Sequence, residues 1–239
     1  MKVTTRAIVL HAHKYGDTSL IVKLYTETSG VKSYLLRGVL TSKKGKTKAA
    51  YFQPLMQLEV VATHKQSAAL NSISEVKVAY PYVSVHTNIV KNTLVFFLVE
   101  VLYAVLQEEE ENKALFQYVS SLLQWLDVHD EVANFHVYFM LHLTRFLGFF
   151  PDEDSEGAPY FDLVEGMFLD RKVSEQYLED EQLELFKRLL KTNLDALHSI
   201  KMSKVNRREL LEKMLVFYQL HLDGFRKPKS LKVLSGIMA

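Results

Sequence analysis

The densest concentration of one chemistry in the chain is the run Arg37-Gly38-Val39-Leu40-Thr41-Ser42-Lys43-Lys44-Gly45-Lys46-Thr47-Lys48. It places Arg37, Lys43, Lys44, Lys46 and Lys48 on or beside one connection, and cations grouped in that way can follow a phosphate backbone, releasing counterions as they bind. Tyr15, Tyr34, Tyr51 and Phe52 lie near the run in sequence and offer ring faces on which bases stack. The candidate nucleic-acid-binding set is therefore Arg37, Lys43, Lys44, Lys46, Lys48 and Tyr51. The competing reading is a solvated loop whose lysines serve solubility.

Other chemistries fail on spacing. Gly45-Lys46-Thr47 resembles the end of a nucleotide phosphate loop, but the glycine required five residues before Gly45 is Leu40, and Gly38 lies two positions too early. Pro54 also follows too soon for the helix whose amides would face the phosphates. The nine histidines do not assemble: His11 and His13 share a strand face without a third ligand, and His136 and His142 fall on opposite sides of a helix. Glu108 to Glu111 reads as a solvated helix end, and Asp152-Glu153-Asp154-Ser155-Glu156-Gly157 lacks the spaced ligands of a calcium loop. No cysteine is present, which removes disulfides, thiolate nucleophiles and cysteine-containing zinc sites. No nucleophile elbow or catalytic triad can be assembled, so neither an enzyme, a cofactor nor a metal is expected.

The elements that carry these residues change character once. Residues 1–80 hold twelve lysines and arginines against Asp17, Glu27, Glu59 and Glu75, a formal charge of +8, which leaves −7 for the rest of a chain whose total is +1. Asymmetry of this kind points to a polyanion partner for the basic part. In that part Thr4–Leu10, Ser19–Thr26, Val31–Val39, Leu55–His64 and Leu70–Ala79 read as five short strands, enough for a small closed or nearly closed β-barrel. Pro81 closes the segment. Beyond it, apolar residues at three- and four-residue steps predict helices over Val85–Gln107, Asn112–Leu126, Glu131–Leu147, Asp180–Lys191 and Arg207–Asp223. Asn206 is the expected cap of the last helix, with Glu209 three residues on and Gly224 as its stop. Phe96, Phe97, Phe135, Tyr138, Phe139, Phe146, Phe149 and Phe150 read as helical core, with a partner-peptide groove near Arg145 as the alternative. The expected architecture is α+β: a barrel domain over 1–80 and a helical domain over 81–239. No apolar run reaches the roughly 20 residues of a membrane span, and the start of the chain lacks a secretory pattern, so a cytoplasmic protein is expected.

One family matches these residues. Ile8-Val9-Leu10, Tyr15-Gly16-Asp17-Thr18-Ser19, Ile21-Val22, Thr26, Gly30, Arg37-Gly38, Gln53-Pro54-Leu55 and Leu58-Glu59 resemble the N-terminal signature of RecO, a family of bacterial recombination mediators. Phe146-Leu147-Gly148-Phe149 and Phe161-Asp162-Leu163-Val164-Glu165-Gly166 resemble segments around that family's metal-binding insert. The resemblance implies a five-stranded OB-fold followed by helices, binding to single- and double-stranded DNA, and annealing of complementary strands. It also implies action with RecR to load RecA onto strands coated by single-stranded-DNA-binding protein, whose C-terminal tail would dock on the helical domain. A nucleoid-associated location goes with it. By position, the family's DNA-contacting basic loop falls on Arg37, Lys43, Lys44, Lys46 and Lys48. Many members carry four zinc cysteines in the insert. Here the corresponding stretch, around 151–172, has none, so a degenerate insert held by Phe161, Leu163, Met167 and Phe168 is expected, without zinc. The alternative function is a protein-binding adaptor without significant DNA affinity.

Overall fold

The computed structural model describes residues 1–41, 48–64, 70–106, 110–152 and 157–238. Five strands, β1 (Lys2–Tyr15), β2 (Ser19–Thr26), β3 (Gly30–Leu36), β4 (Gln57–Thr63) and β5 (Asn71–Tyr80), close in the order β1-β2-β3-β5-β4. β1 is long enough to serve two partners: Ala7–Tyr15 pairs with β2 and Lys2–Ile8 with β4, and a register shift between Val9 and His11 bends it from one to the other. The parallel pairing of Tyr34 with Asn71 and Leu35 with Ser72 closes the barrel between β3 and β5. This is the OB-fold expected from the resemblance. Its interior is filled by Val9, Val22, Leu24, Tyr34, Leu58, Val60 and Ala62.

Burial does not alternate along the middle of β1, for a physical reason. Ala7, Ile8, Val9 and Leu10 are all buried, although only Ala7 and Val9 belong to the barrel interior. On the outside, helix α1 (Ile89–Val105) packs against β1, so that stretch is covered on both faces. The Asn88 side chain starts α1 by accepting from the amides of Val90 and Lys91. Helix α2 (Lys113–Val128) follows, and Gln57 of β4 joins it by donating to the Ser120 carbonyl at 3.1 Å and accepting from the Ser120 hydroxyl at 2.7 Å.

The first compact unit runs from Met1 to Val128, and within it strands give way to helices after Tyr80. Asp127 is its second tie. Its carboxylate accepts from the amides of Val83, Ser84 and Val85 at 2.7–3.1 Å, and the buried Lys91 ammonium donates to the Asp127 carbonyl at 2.8 Å and to the Ser84 hydroxyl at 2.7 Å. Burial pushes this carboxyl up, but the three amides and the Ser84 hydroxyl outweigh it, and the net direction is down.

The second unit spans His129–Ala239. Helix α3 (Phe135–Leu147) ends at Gly148, whose left-handed φ of 85° suits glycine. A three-stranded sheet follows, with β6 (Tyr160–Asp162) between β7 (Met167–Leu169) and β8 (Tyr177–Leu178). Then come α4 (Asp180–Lys191), a 3-10 turn (Leu194–Ser199), α5 (Lys204–His221) and α6 (Leu231–Ile237).

In the sheet segment, Phe161 and Phe168 pack on Phe186 of α4, while Asp162 accepts from the amides of Val164, Glu165 and Ser174. Carboxylate-to-amide bonds and packed aromatic rings hold the segment, and Phe161, Leu163 and Phe168 are buried as expected. Met167 is not: it is 40% exposed, because it alternates with Phe168 on a strand only three residues long. Two further expectations need correction. Ser203, rather than Asn206, caps α5, its hydroxyl accepting from the Asn206 amide at 3.1 Å, because the helix begins a turn earlier. Phe96 is 47% exposed on the outer side of α1, while its neighbour Phe97 is fully buried.

Candidate nucleic-acid interface

The basic run leaves the barrel from a fixed stem. After β3, Gly38 adopts a left-handed φ of 69° and the chain folds back, so that the Leu40 amide donates to the Thr18 carbonyl at 3.0 Å in the β1–β2 turn. Val39 is buried, and Leu40 packs against the barrel core. At the other end, the Tyr51 amide donates to the Lys48 carbonyl at 3.0 Å and opens a 3-10 turn (Ala49–Phe52). Phe52 is buried there, and Leu55 and Met56 exchange backbone hydrogen bonds with Val9. Both ends of the segment are thus tied to β1 and β2.

Arg37 and Lys48, the described cations at these two ends, are exposed. Lys43, Lys44 and Lys46 lie outside the described residues. Tyr51 is half-buried against the barrel. Of the other candidate stacking residues, Tyr15 is 55% exposed, but Tyr34 is fully buried, its hydroxyl bonded to His64 Nε2 at 2.9 Å, and Phe52 is core. Tyr34 cannot receive a base because it occupies an inward position of β3, between Val22 and Asn71 in register.

The pleat adds Lys23 to the outer face of the barrel. With Leu20, Val22 and Leu24 inward, Ile21 and Lys23 of β2 face out opposite Leu35 and Ser33 of β3. Among the described residues, Lys14, Lys23, Arg37 and Lys48 make no ion pair, in contrast to Arg6, which is bidentate to Glu27 near the start of β1. Lys23 is absent from the sequence-derived set. Alternation is only partial in the sequence Leu20-Ile21-Val22-Lys23-Leu24, and it is the observed burial pattern of β2 that turns Lys23 outward.

The second unit carries a different kind of recess, of about 190 Å³. Val205, Leu211, Leu234 and Met238 give it apolar lining, and Lys204, Arg207 and Arg208 give it positive charge. Arg207 is held by donating to Asn134 Oδ1 at 2.9 Å and to the Met202 carbonyl at 3.1 Å, while Asn134 donates to the Ile200 carbonyl at 2.8 Å. His136, in the wall, is pushed down to about 3 by burial and by Arg207, so it is neutral at physiological pH. Sequence spacing could not reveal this recess, because α3, α5 and α6 supply it from three distant segments.

Among the described residues no group of histidines and carboxylates could hold a metal ion, and no helix is long and apolar enough to cross a membrane.

A closed five-stranded OB-fold barrel with exposed cations at the ends of a basic segment, followed by helices, defines a class of barrel-and-helix proteins. Within that class the chain belongs to the RecO family. The model for Recombination protein O N terminal matches residues 1–82, and that for Recombination protein O C terminal matches residues 86–232. Among its relatives, the DNA repair protein RecO of Christiangramia forsetii is 45% identical over 237 residues, covering 99% of each chain. The protein of the same name from Flavobacterium johnsoniae is 42% identical over 240 residues and covers all of both chains. That from Bacteroides fragilis is 36% identical over 237 residues, covering 98% of each.

Proposed function

We propose that this chain is a DNA-binding mediator of recombinational DNA repair. In this reading it anneals single strands and, with RecR, helps RecA load onto DNA coated by single-stranded-DNA-binding protein. The observation that carries the DNA-binding step is the OB-fold barrel on which, among the described residues, Lys23 on the outer face of β2 and Arg37 and Lys48 at the anchored ends of a segment holding Lys43, Lys44 and Lys46 make no ion pair. A cation already bonded to a carboxylate has less to gain from phosphate, whereas these give up no carboxylate partner among the described residues. Stacking on Tyr15 and Tyr51 would add sequence-tolerant affinity. The mediator works by binding and positioning strands, with no bond-making step and no metal or cofactor.

The recess in the helical unit supports the partner side of the same reading. Apolar lining beside Lys204, Arg207 and Arg208 suits an acidic, apolar C-terminal tail such as that of single-stranded-DNA-binding protein: arginine holds a carboxylate through paired hydrogen bonds, and the apolar lining takes the side chain beside it. The location that follows is cytoplasmic and associated with the nucleoid.

Anisotropy titration of a labelled single-stranded oligonucleotide over a salt series tests the reading. Five phosphate contacts give a logarithmic salt slope of roughly −3.5, about a hundredfold loss of affinity between 50 and 200 mM salt. Replacing Lys43, Lys44, Lys46 and Lys48 by alanine should reduce the slope by about 2.8. An unchanged slope rejects the loop assignment. Absence of binding at low salt, together with tight binding of an acidic tail peptide, would establish the adaptor reading instead.

A further inference from the structure

The outer wall of β1 and β2 holds a second group of side chains that the loop does not use. Beyond the bulge after Val9, His11, His13 and Tyr15 are exposed at alternate positions of β1, opposite Lys23, Ile21 and Ser19 of β2, while Ala12 between the histidines packs into the barrel. Tyr103 reaches this wall from α1 and is itself 43% exposed. The His11 ring lies 5.4 Å from that of His13 and 5.6 Å from that of Tyr103, and Lys23 Nζ stands 4.5 Å from the Tyr103 centroid. Three contiguous rings and an ammonium group are therefore presented to solvent within one compact unit.

The barrel does not require these residue types. Its interior is complete without them, and an exposed strand face beside a helix can be filled by any β-forming residue. What the combination supplies is ring faces for bases beside positive charge for phosphate, the pairing that single-strand binders use. The charged and titratable groups bearing on His11 are His13 on its own strand, Lys23 from β2 and the phenol of Tyr103 from α1. Lys14 adjoins His13 in sequence but pairs with the inward Leu20 and so lies on the other face of β1, and the carboxylate on α1 is Glu100, one turn before Tyr103.

We propose that His11, His13, Lys23 and Tyr103 form a second contact for single-stranded DNA, with bases stacked on the rings and a phosphate against Lys23 and the histidines. It rests on the DNA-binding reading above and extends the path from the basic loop to the α1 side of the barrel wall. Burial, His13 and Lys23 hold the His11 ring below its ordinary range, so it is neutral near pH 7. A bound phosphate favours the protonated ring and raises its pKa in the complex. Protons are then taken up on binding, and affinity rises as pH falls.

The test uses the full chain and a labelled oligothymidine at pH 7.5 and pH 5.8. The wild type should bind about three- to tenfold more tightly at the lower pH, the gain expected from a shift of up to one unit in a histidine pKa. His11→Gln with His13→Gln should remove most of that gain, and Tyr103→Leu should weaken binding about tenfold at both pH values. Variants that match the wild type at both pH values, while the wild type binds tightly, overturn the second contact and leave the basic loop standing. A wild type that does not bind at low salt overturns the parent reading as well. A measurement without substitutions guards against misfolded variants: the ring-proton resonances of His11 and His13 should move when oligothymidine is added, and unmoved resonances at saturation overturn the proposal. Equal movement with an oligoglutamate of the same charge would reject the stacking component, leaving a general anion site.

Discussion

At the scale of single residues, Asp127 and Lys91 show how buried polar groups hold the first unit together. The carboxylate satisfies three consecutive amides at the point where the chain leaves the barrel, and the ammonium satisfies a carbonyl and a hydroxyl beside it. Asp127→Ala strands those amides and should destabilise the protein by about 1–3 kcal/mol at pH 7, read from urea unfolding. The sign with pH follows from the depressed folded-state value. The contribution is complete above the ordinary aspartate range and is lost as pH falls through the folded-state pKa, so the gap between wild type and variant should narrow between pH 5 and pH 3. In the recess, His136 behaves differently, since its pKa of about 3 leaves it neutral throughout the physiological range. Affinity for an acidic tail peptide should therefore show no histidine step between pH 5 and pH 8, while Arg208→Glu should weaken it at least tenfold in calorimetry by placing a like charge at the rim.

At the scale of elements, the stem of the basic loop fixes where the segment leaves and rejoins the barrel. Gly38 sits at φ 69° with open space around its Cα, so a substitution there meets backbone strain without any steric collision. Gly38→Val should cost about 1–3 kcal/mol, and Gly38→Asn less, because asparagine tolerates that region. If the stem orients the lysines, Gly38→Val should also weaken oligonucleotide binding under conditions where the variant is still fully folded. Anisotropy and thermal unfolding on the same samples separate the two effects. The strands were readable from their β-branched and aromatic residues and from the turns between them, although β2 alternates only in part, because Tyr25 and Thr26 are both buried at its end. β1 was harder, because α1 covers its outer face and erases the alternation through Ala7–Leu10.

At the scale of the whole molecule, the two compact units divide at Val128, although strands give way to helices at Tyr80. Helices α1 and α2 bury the outer side of the barrel and bond to it through Gln57, Ser120 and the Tyr25 hydroxyl, which donates to the Asn112 carbonyl at 3.1 Å. A fragment of residues 1–128 should unfold cooperatively in urea, whereas residues 1–80 alone, with Ile8, Leu10 and Tyr25 uncovered, should not. The two proposed surfaces lie on different units, which makes their effects separable. Loop-lysine variants should lose DNA affinity and keep tail-peptide affinity, and Arg208→Glu should do the reverse.

The sequence alone determined the barrel-then-helix order, the charge asymmetry, the absence of thiol chemistry and the place of the basic run, because these depend on local periodicity and residue type. Its family pattern likewise lay in contiguous motifs such as Tyr15-Gly16-Asp17-Thr18-Ser19. Only the tertiary structure decided that Tyr34 and Phe52 are core while Tyr15 is exposed, that Lys23 lies on the outer face of β2, that Tyr103 meets His11, and that Lys204, Arg207 and Arg208 rim an apolar recess. Each of these turns on strand register or on segments far apart in sequence packing together, and burial is a property of the neighbours a residue acquires, which no local spacing encodes.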